Sequence, residues 1–141
     1  MKFARNRVLV TVAALALMIL GVRTEVQAQS VALRVTIPFQ FNVGNATLPA
    51  GTYVVTPSGG GAIRISDQDG HVANVLTNGI WNRSGGRTDE LMFHRYGDVH
   101  FLSEVRWSGY PAARGLMKSK AETRIASGAS PQLVAAAANK P

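Results

Sequence analysis

Three histidines, His71, His94 and His100, are the side chains of this 141-residue chain best suited to proton transfer or metal binding near neutral pH. Cysteine is absent, which excludes disulfides, thiolate zinc sites, iron–sulfur clusters, thiol nucleophiles and an acylated lipoprotein anchor. His71 follows an Asp-Gly turn and reads as solvated. His94 and His100 lie on opposite arms of a hairpin around Tyr96-Gly97-Asp98. Its register has two guides, and they disagree. A Gly97-Asp98 loop, which type II′ chemistry prefers, sets His94 against Phe101 and His100 against Arg95. A three-residue loop sets His94 against His100 and gathers Phe93, Val99, Phe101 and Val105 on one apolar face. The hydrophobic pattern favours the second, and a one-residue slip exchanges the two faces.

In that second register Glu104 lies further along the histidine face, and His94, His100 and Glu104 form a candidate donor set for a divalent transition metal. Geometry argues against it. Opposed side chains on an antiparallel pair project in parallel, about 5 Å apart. Glu104 is four residues from His100, about 13 Å along the strand. A metal-binding protein or hydrolase using these three residues therefore stands as the alternative reading. No catalytic, cofactor-binding or metal residue is assigned, and no cofactor is expected.

Other chemistry is sparse. There is no Gly-x-Ser-x-Gly elbow. Asp67 with Asp69, and Asp89 with Glu90, sit at turns and loop edges, where acids are favoured for local hydrogen bonding. Gly59-Gly60-Gly61 lacks the lysine and following helix of a phosphate loop. Asp67-Gln68-Asp69-Gly70 has too few acids for a calcium loop. Phe39, Phe41, Phe93 and Phe101 read as core. Trp81, Trp107 and Tyr110 lie near loops and form a candidate recognition surface, because aromatics supply contact area with few torsions to freeze. Core packing is the competing reading for them.

The ends of the chain frame these residues. Lys2, Arg5 and Arg7 precede an apolar run from Val8 to Val22, and Val26-Gln27-Ala28 has signal-peptidase form. The run is shorter than the roughly 20 residues of a membrane span. Residues 1–28 are therefore expected to be a signal peptide cleaved after Ala28, and the product periplasmic or extracellular. Four bases and one acid leave with that segment, so the net charge falls from +7 to about +4. The remaining bases are scattered, which argues against nucleic acid. Membrane contact is expected only through the signal peptide before cleavage.

Residues 29–127 read as one domain of short strands and tight turns. Val31 to Ile37 is a strand ended by Pro38. Phe39, Phe41 and Val43 alternate with polar residues, and Gly44-Asn45 suits a type II′ turn returning through Ala46-Thr47-Leu48. Tyr53 to Val55 follows. Ala62 to Ser66 and Val72 to Leu76 flank a Gln68-Asp69-Gly70 loop, with Ile63 and Ile65 sharing a face with Ala73 and Val75. Asn78-Gly79 signals another turn. Ser119-Lys120-Ala121-Glu122 has capping-box form, so a short helix starts there. Residues 128–141 read as a frayed or disordered tail. The expected fold is all-β, a single antiparallel β-sandwich or small barrel with a short C-terminal helix.

Val35-Thr36-Ile37-Pro38-Phe39-Gln40-Phe41-Asn42-Val43-Gly44 and Leu48-Pro49-Ala50-Gly51-Thr52-Tyr53 resemble the opening of a family of small exported proteins abundant in acidobacteria and related soil bacteria. Leu76-Thr77-Asn78-Gly79, Phe93 to Asp98, Phe101 to Trp107 and Lys118 to Glu122 resemble its later blocks. That family has no assigned activity, so the resemblance implies export and a single β-rich domain and transfers no site. The expectation that weighs heaviest is an exported, non-catalytic binding or structural module with an unknown envelope or extracellular partner.

Overall fold

Apolar and polar residues alternate in Leu33-Arg34-Val35-Thr36-Ile37, and the strand they form, β1 (Leu33–Ile37), buries the first set and exposes the second. The computed structural model describes residues 31–80, 88–108, 110 and 112–139. The expected signal peptide and Trp81 lie outside these. After β1 come β2 (Phe41–Val43), β3 (Ala46–Leu48), β4 (Gly51–Pro57), β5 (Ala62–Ser66) and β6 (Val72–Ile80). Then follow β7 (Glu90–Tyr96), β8 (Val99–Arg106), β9 (Ala113–Leu116), helix α1 (Lys120–Ala126) and β10 (Gln132–Ala137).

The strands hydrogen-bond in the order β1-β4-β5-β6-β9-β8, and β8 continues through β7 to β10. The circuit then returns to its start. Val35 bridges Ala138, the Asn139 N–H donates to the Arg34 carbonyl at 2.8 Å, and Asn139 Nδ2 donates to Thr36 Oγ1 at 3.0 Å. The ladder is therefore a flattened barrel, and closure leaves β1 and β10 without a long free edge. β6 turns the corner. Its first half pairs with β5 and its second with β9, and at the bend both the Thr77 N–H and its hydroxyl donate to the Gly61 carbonyl.

Turn chemistry explains most joints. Val43 pairs with Ala46 across Gly44-Asn45, with Gly44 at φ +56°. Ile63 pairs with Val75 and Ile65 with Ala73, as pattern and turn together required. Ser119 caps α1 by accepting the Glu122 N–H at 3.1 Å.

Four expectations give way. The fold is all-β with one short helix, yet its sheet is mixed, because β2 runs parallel to β8 at Asn42 and Phe101. The Asn78-Gly79 turn does not form. Both residues continue β6, where Gly79 pairs with Arg114 and Asn78 with Gly115, so a waiting partner strand overrides turn propensity. The tail is not frayed from residue 128, since Gln132–Ala137 pairs with β7 from Arg95 to Glu90. Alanine has low strand preference, but here it meets an unfilled edge and packs Ala136 opposite Leu91.

The fourth is the β7–β8 register. Tyr96 pairs with Val99 across Gly97-Asp98, with Gly97 at φ +60°, so His94 faces Phe101 and Arg95 faces His100. Turn chemistry prevails over the hydrophobic pattern, and a bulge reconciles them. Met92 pairs with Glu104 and Phe93 with Leu102, which leaves Ser103 as the extra residue, its hydroxyl donating to the Met92 carbonyl. The bulge returns Val105 to the core face beside Leu91 and Phe93.

The core gathers Phe41, Tyr53, Val55, Ile63, Ile65, Leu91, Phe93 and Val105, with Leu48 and Trp107. Phe39 and Val75 are half-buried against it. Phe101, expected in the same cluster, is buried on the other face of β8, its ring centroid 6.0 Å from that of Tyr96.

Candidate functional site

The register that parts the histidines also parts the metal set. His94 and His100 point to opposite faces of the β7–β8 pair, since they are opposed to neighbouring residues, Phe101 and Arg95. Glu104 instead accepts from Arg106 Nε at 2.7 Å, and the same guanidinium reaches Glu90 at 2.7 Å. Among the described residues no three His, Cys, Asp or Glu side chains cluster as metal ligands.

His94 finds a different partner. Its Nδ1 lies 2.6 Å from Glu122 Oε1 of α1, and the Tyr96 hydroxyl donates to the same oxygen at 3.1 Å. Glu122 is buried, so the pairing supplies what an enclosed carboxylate needs. Burial, with the Glu122 charge and hydrogen bond behind it, raises the Tyr96 phenol above its ordinary range. The capping box thus forms by half: Glu122 gives its N–H to Ser119, while its carboxylate turns to β7. A carboxylate on Nδ1 is the orienting half of a general base. Among the described residues no serine or threonine hydroxyl is hydrogen-bonded to the ring, so the arrangement as it stands locks α1 onto the sheet. We expect Glu122→Ala to cost about 2–3 kcal/mol in urea unfolding, because the Tyr96 hydroxyl loses its acceptor. A cost below about 0.5 kcal/mol would show the contact to be peripheral.

On the opposite face His100 stacks on Phe39, ring centroids 3.8 Å apart and planes 13° apart, with Nδ1 enclosed and without a partner. Burial lowers its pKa below 6.5 and the Arg95 charge adds to this, while Asp98 pulls the other way. A histidine whose folded pKa is depressed binds protons more readily when unfolded. Its contribution is therefore intact above pH 6.5 and is lost as pH falls through that value. We expect His100→Phe to lose less Tm than the wild type between about pH 7.5 and about pH 5. Equal losses would remove His100 from the acid response.

A concavity of about 280 Å³ lies elsewhere, lined by Gly59, Gly60, Gly61, Trp107, Tyr110 and Arg114, with Val31, Pro57 and Ile63 among its apolar walls. Four segments build it: the chain before β1, the β4–β5 loop with its flanking strand ends, the chain leaving β8, and β9. The loop runs through three successive glycines at φ +44°, +61° and +80°, a backbone that residues with a Cβ rarely adopt. A Cβ on Gly59 or Gly60 would meet nothing within 4 Å, so the wall is open there. Trp107 is only 4% exposed, and its indole N–H is enclosed with no acceptor among the described residues. Tyr110 is 48% exposed.

Comparison with family models, curated proteins and solved structures returned no match.

The candidate recognition surface is therefore revised on geometry alone. Trp107 is a core residue that also walls a cavity, not an exposed contact. Tyr110 is exposed, and Trp81 lies outside the described residues. Sequence reading missed Arg114 and the place of Gly59–Gly61 on a cavity wall. The run of glycines was the available signal, and it was weighed only against a phosphate loop. A shallower trough passes Val72, Leu76 and Met117, between the β2–β3 turn and the first half of β6.

Proposed function

We propose that the chain is an exported, non-catalytic β-barrel module that recognises a small ligand in the cavity between the Gly59–Gly61 loop and Trp107. The basic, apolar and Val-Gln-Ala succession before Gln29 supports export. The observation that carries the recognition reading is the cavity itself, where a buried indole, an exposed tyrosine and an arginine converge on one concave surface. Its volume lies just below the usual range for small-molecule sites, about 300–1,000 Å³, so the ligand is small. The separation of His94 from His100 leaves the metal or hydrolase alternative without its donor set.

A fragment screen by thermal shift tests this. Binders should raise Tm, and Ala112→Phe, which fills the cavity from its wall, should abolish their effect. Fragments that stabilise the Ala112→Phe protein equally would place recognition elsewhere. Mass spectrometry of the exported protein tests the other half: its N-terminus should be Gln29, and a product still beginning at Met1 would contradict export with cleavage.

A further inference from the structure

Resting on that reading, we infer that the cavity takes a small aromatic carboxylate, its ring against Trp107 and Tyr110 and its carboxylate on Arg114. The inference comes from the balance of donors and acceptors on the wall. Among the described residues the lining carries one cation, Arg114, and no carboxylate. Arg114 is exposed and makes no ion pair among the described residues. Three carbonyls of the wall already accept hydrogen bonds. The Gly59 carbonyl accepts the Ala62 N–H at 3.0 Å, the Ala62 carbonyl accepts the Ser58 N–H at 2.8 Å, and the Gly61 carbonyl accepts twice from Thr77. What the wall has left over to donate is the Arg114 guanidinium and the Tyr110 hydroxyl.

A site rich in unspent donors with an arginine at its side favours an anionic acceptor over a neutral or cationic guest. The guanidinium fork matches a planar carboxylate in particular. The remaining walls, Val31, Pro57, Ile63 and Ala112, are apolar and suit a hydrocarbon or aromatic body. Absent Cβ atoms on Gly59 and Gly60 let a ligand approach the backbone closely.

Isothermal titration with matched probes tests the charge requirement separately from the cavity. Indole-3-acetate and benzoate should bind about ten-fold or more tighter than indole-3-acetamide and benzamide. Arg114→Gln should erase that difference while leaving Tm and the amides' affinity unchanged. Amides that bind as tightly as the acids would overturn the carboxylate inference and leave the cavity as the recognition site. Acid preference that survives Arg114→Gln would also overturn it. If neither acids nor amides bind, and the fragment screen finds no cavity-dependent ligand, both readings fail together.

Discussion

A chain ended at Gly128 loses its cooperative thermal transition. The removed segment holds β10, whose six residues pair with β7 from Arg95 to Glu90. It also holds Ala138 and Asn139, which close the circuit onto β1. Truncation therefore opens two strand edges at once and strips cover from Leu91 and Phe93, both fully buried. Native domains hold only about 5–15 kcal/mol in reserve. Losing a whole strand and barrel closure exceeds what such a margin tolerates, and the exposed β7 edge should drive association. A point substitution separates closure from mere length: Ala136→Asp, a charge placed in a buried site opposite Leu91, should cost about 3 kcal/mol or more while keeping every residue of the tail. A truncated protein that melts cooperatively near the wild-type Tm would mean that β10 is an accessory to a barrel held by other strands.

Phe41→Ala should cost about 3–5 kcal/mol by urea unfolding. Phe41 is fully buried, and its ring meets Tyr53 at 5.2 Å and Phe93 at 5.5 Å, both edge-to-face. These two contacts tie β2 to β4 and to β7, from separate stretches of the barrel. Truncation loses the transfer energy of the ring, two aromatic contacts and the filling of the space between the strands. Phe101→Ala makes the control. Phe101 is as well enclosed, but it lies outside the main cluster, against Tyr96. Its loss should loosen the seat of α1 while the core cluster stays packed. If Phe41→Ala costs under about 1 kcal/mol, the core has been placed in the wrong part of the chain.

How far these features were legible depends on how many independent signals converged on each. The β5–β6 hairpin was readable in detail because turn residues and alternation agreed, and Ile63 does pair with Val75 and Ile65 with Ala73. At β7–β8 the same two signals conflicted. The conflict was itself informative, since a bulge at Ser103 is how one strand can satisfy a Gly97-Asp98 turn and still bury Val105. The alanine-rich β10 carried almost no local signal, because its strand state comes from the edge β7 offers it. The pairing of His94 with Glu122 spans 28 residues and joins a strand to a helix cap, so no spacing rule reaches it. The cavity is assembled from four separate stretches of chain, and among its side chains only the aromatic ones announced themselves. Trp107 was noticed for its place beside a loop, and its burial follows the core-packing reading rather than that of an exposed contact.

Recognition at the cavity walled by Trp107 is the proposal on which the ligand assignment rests. The measurement that addresses it most directly is the indole N–H resonance of Trp107, assigned through Trp107→Phe, followed while indole-3-acetate is added to the protein. A ring bound against the indole should move that proton strongly, together with the amides of Gly59, Gly60 and Gly61. Saturable shifts confined to those groups and to Arg114 are the predicted result. Shifts that leave the Trp107 indole in place and gather instead at His94, Tyr96 and Glu122 would contradict the claim and return function to the β7–α1 contact.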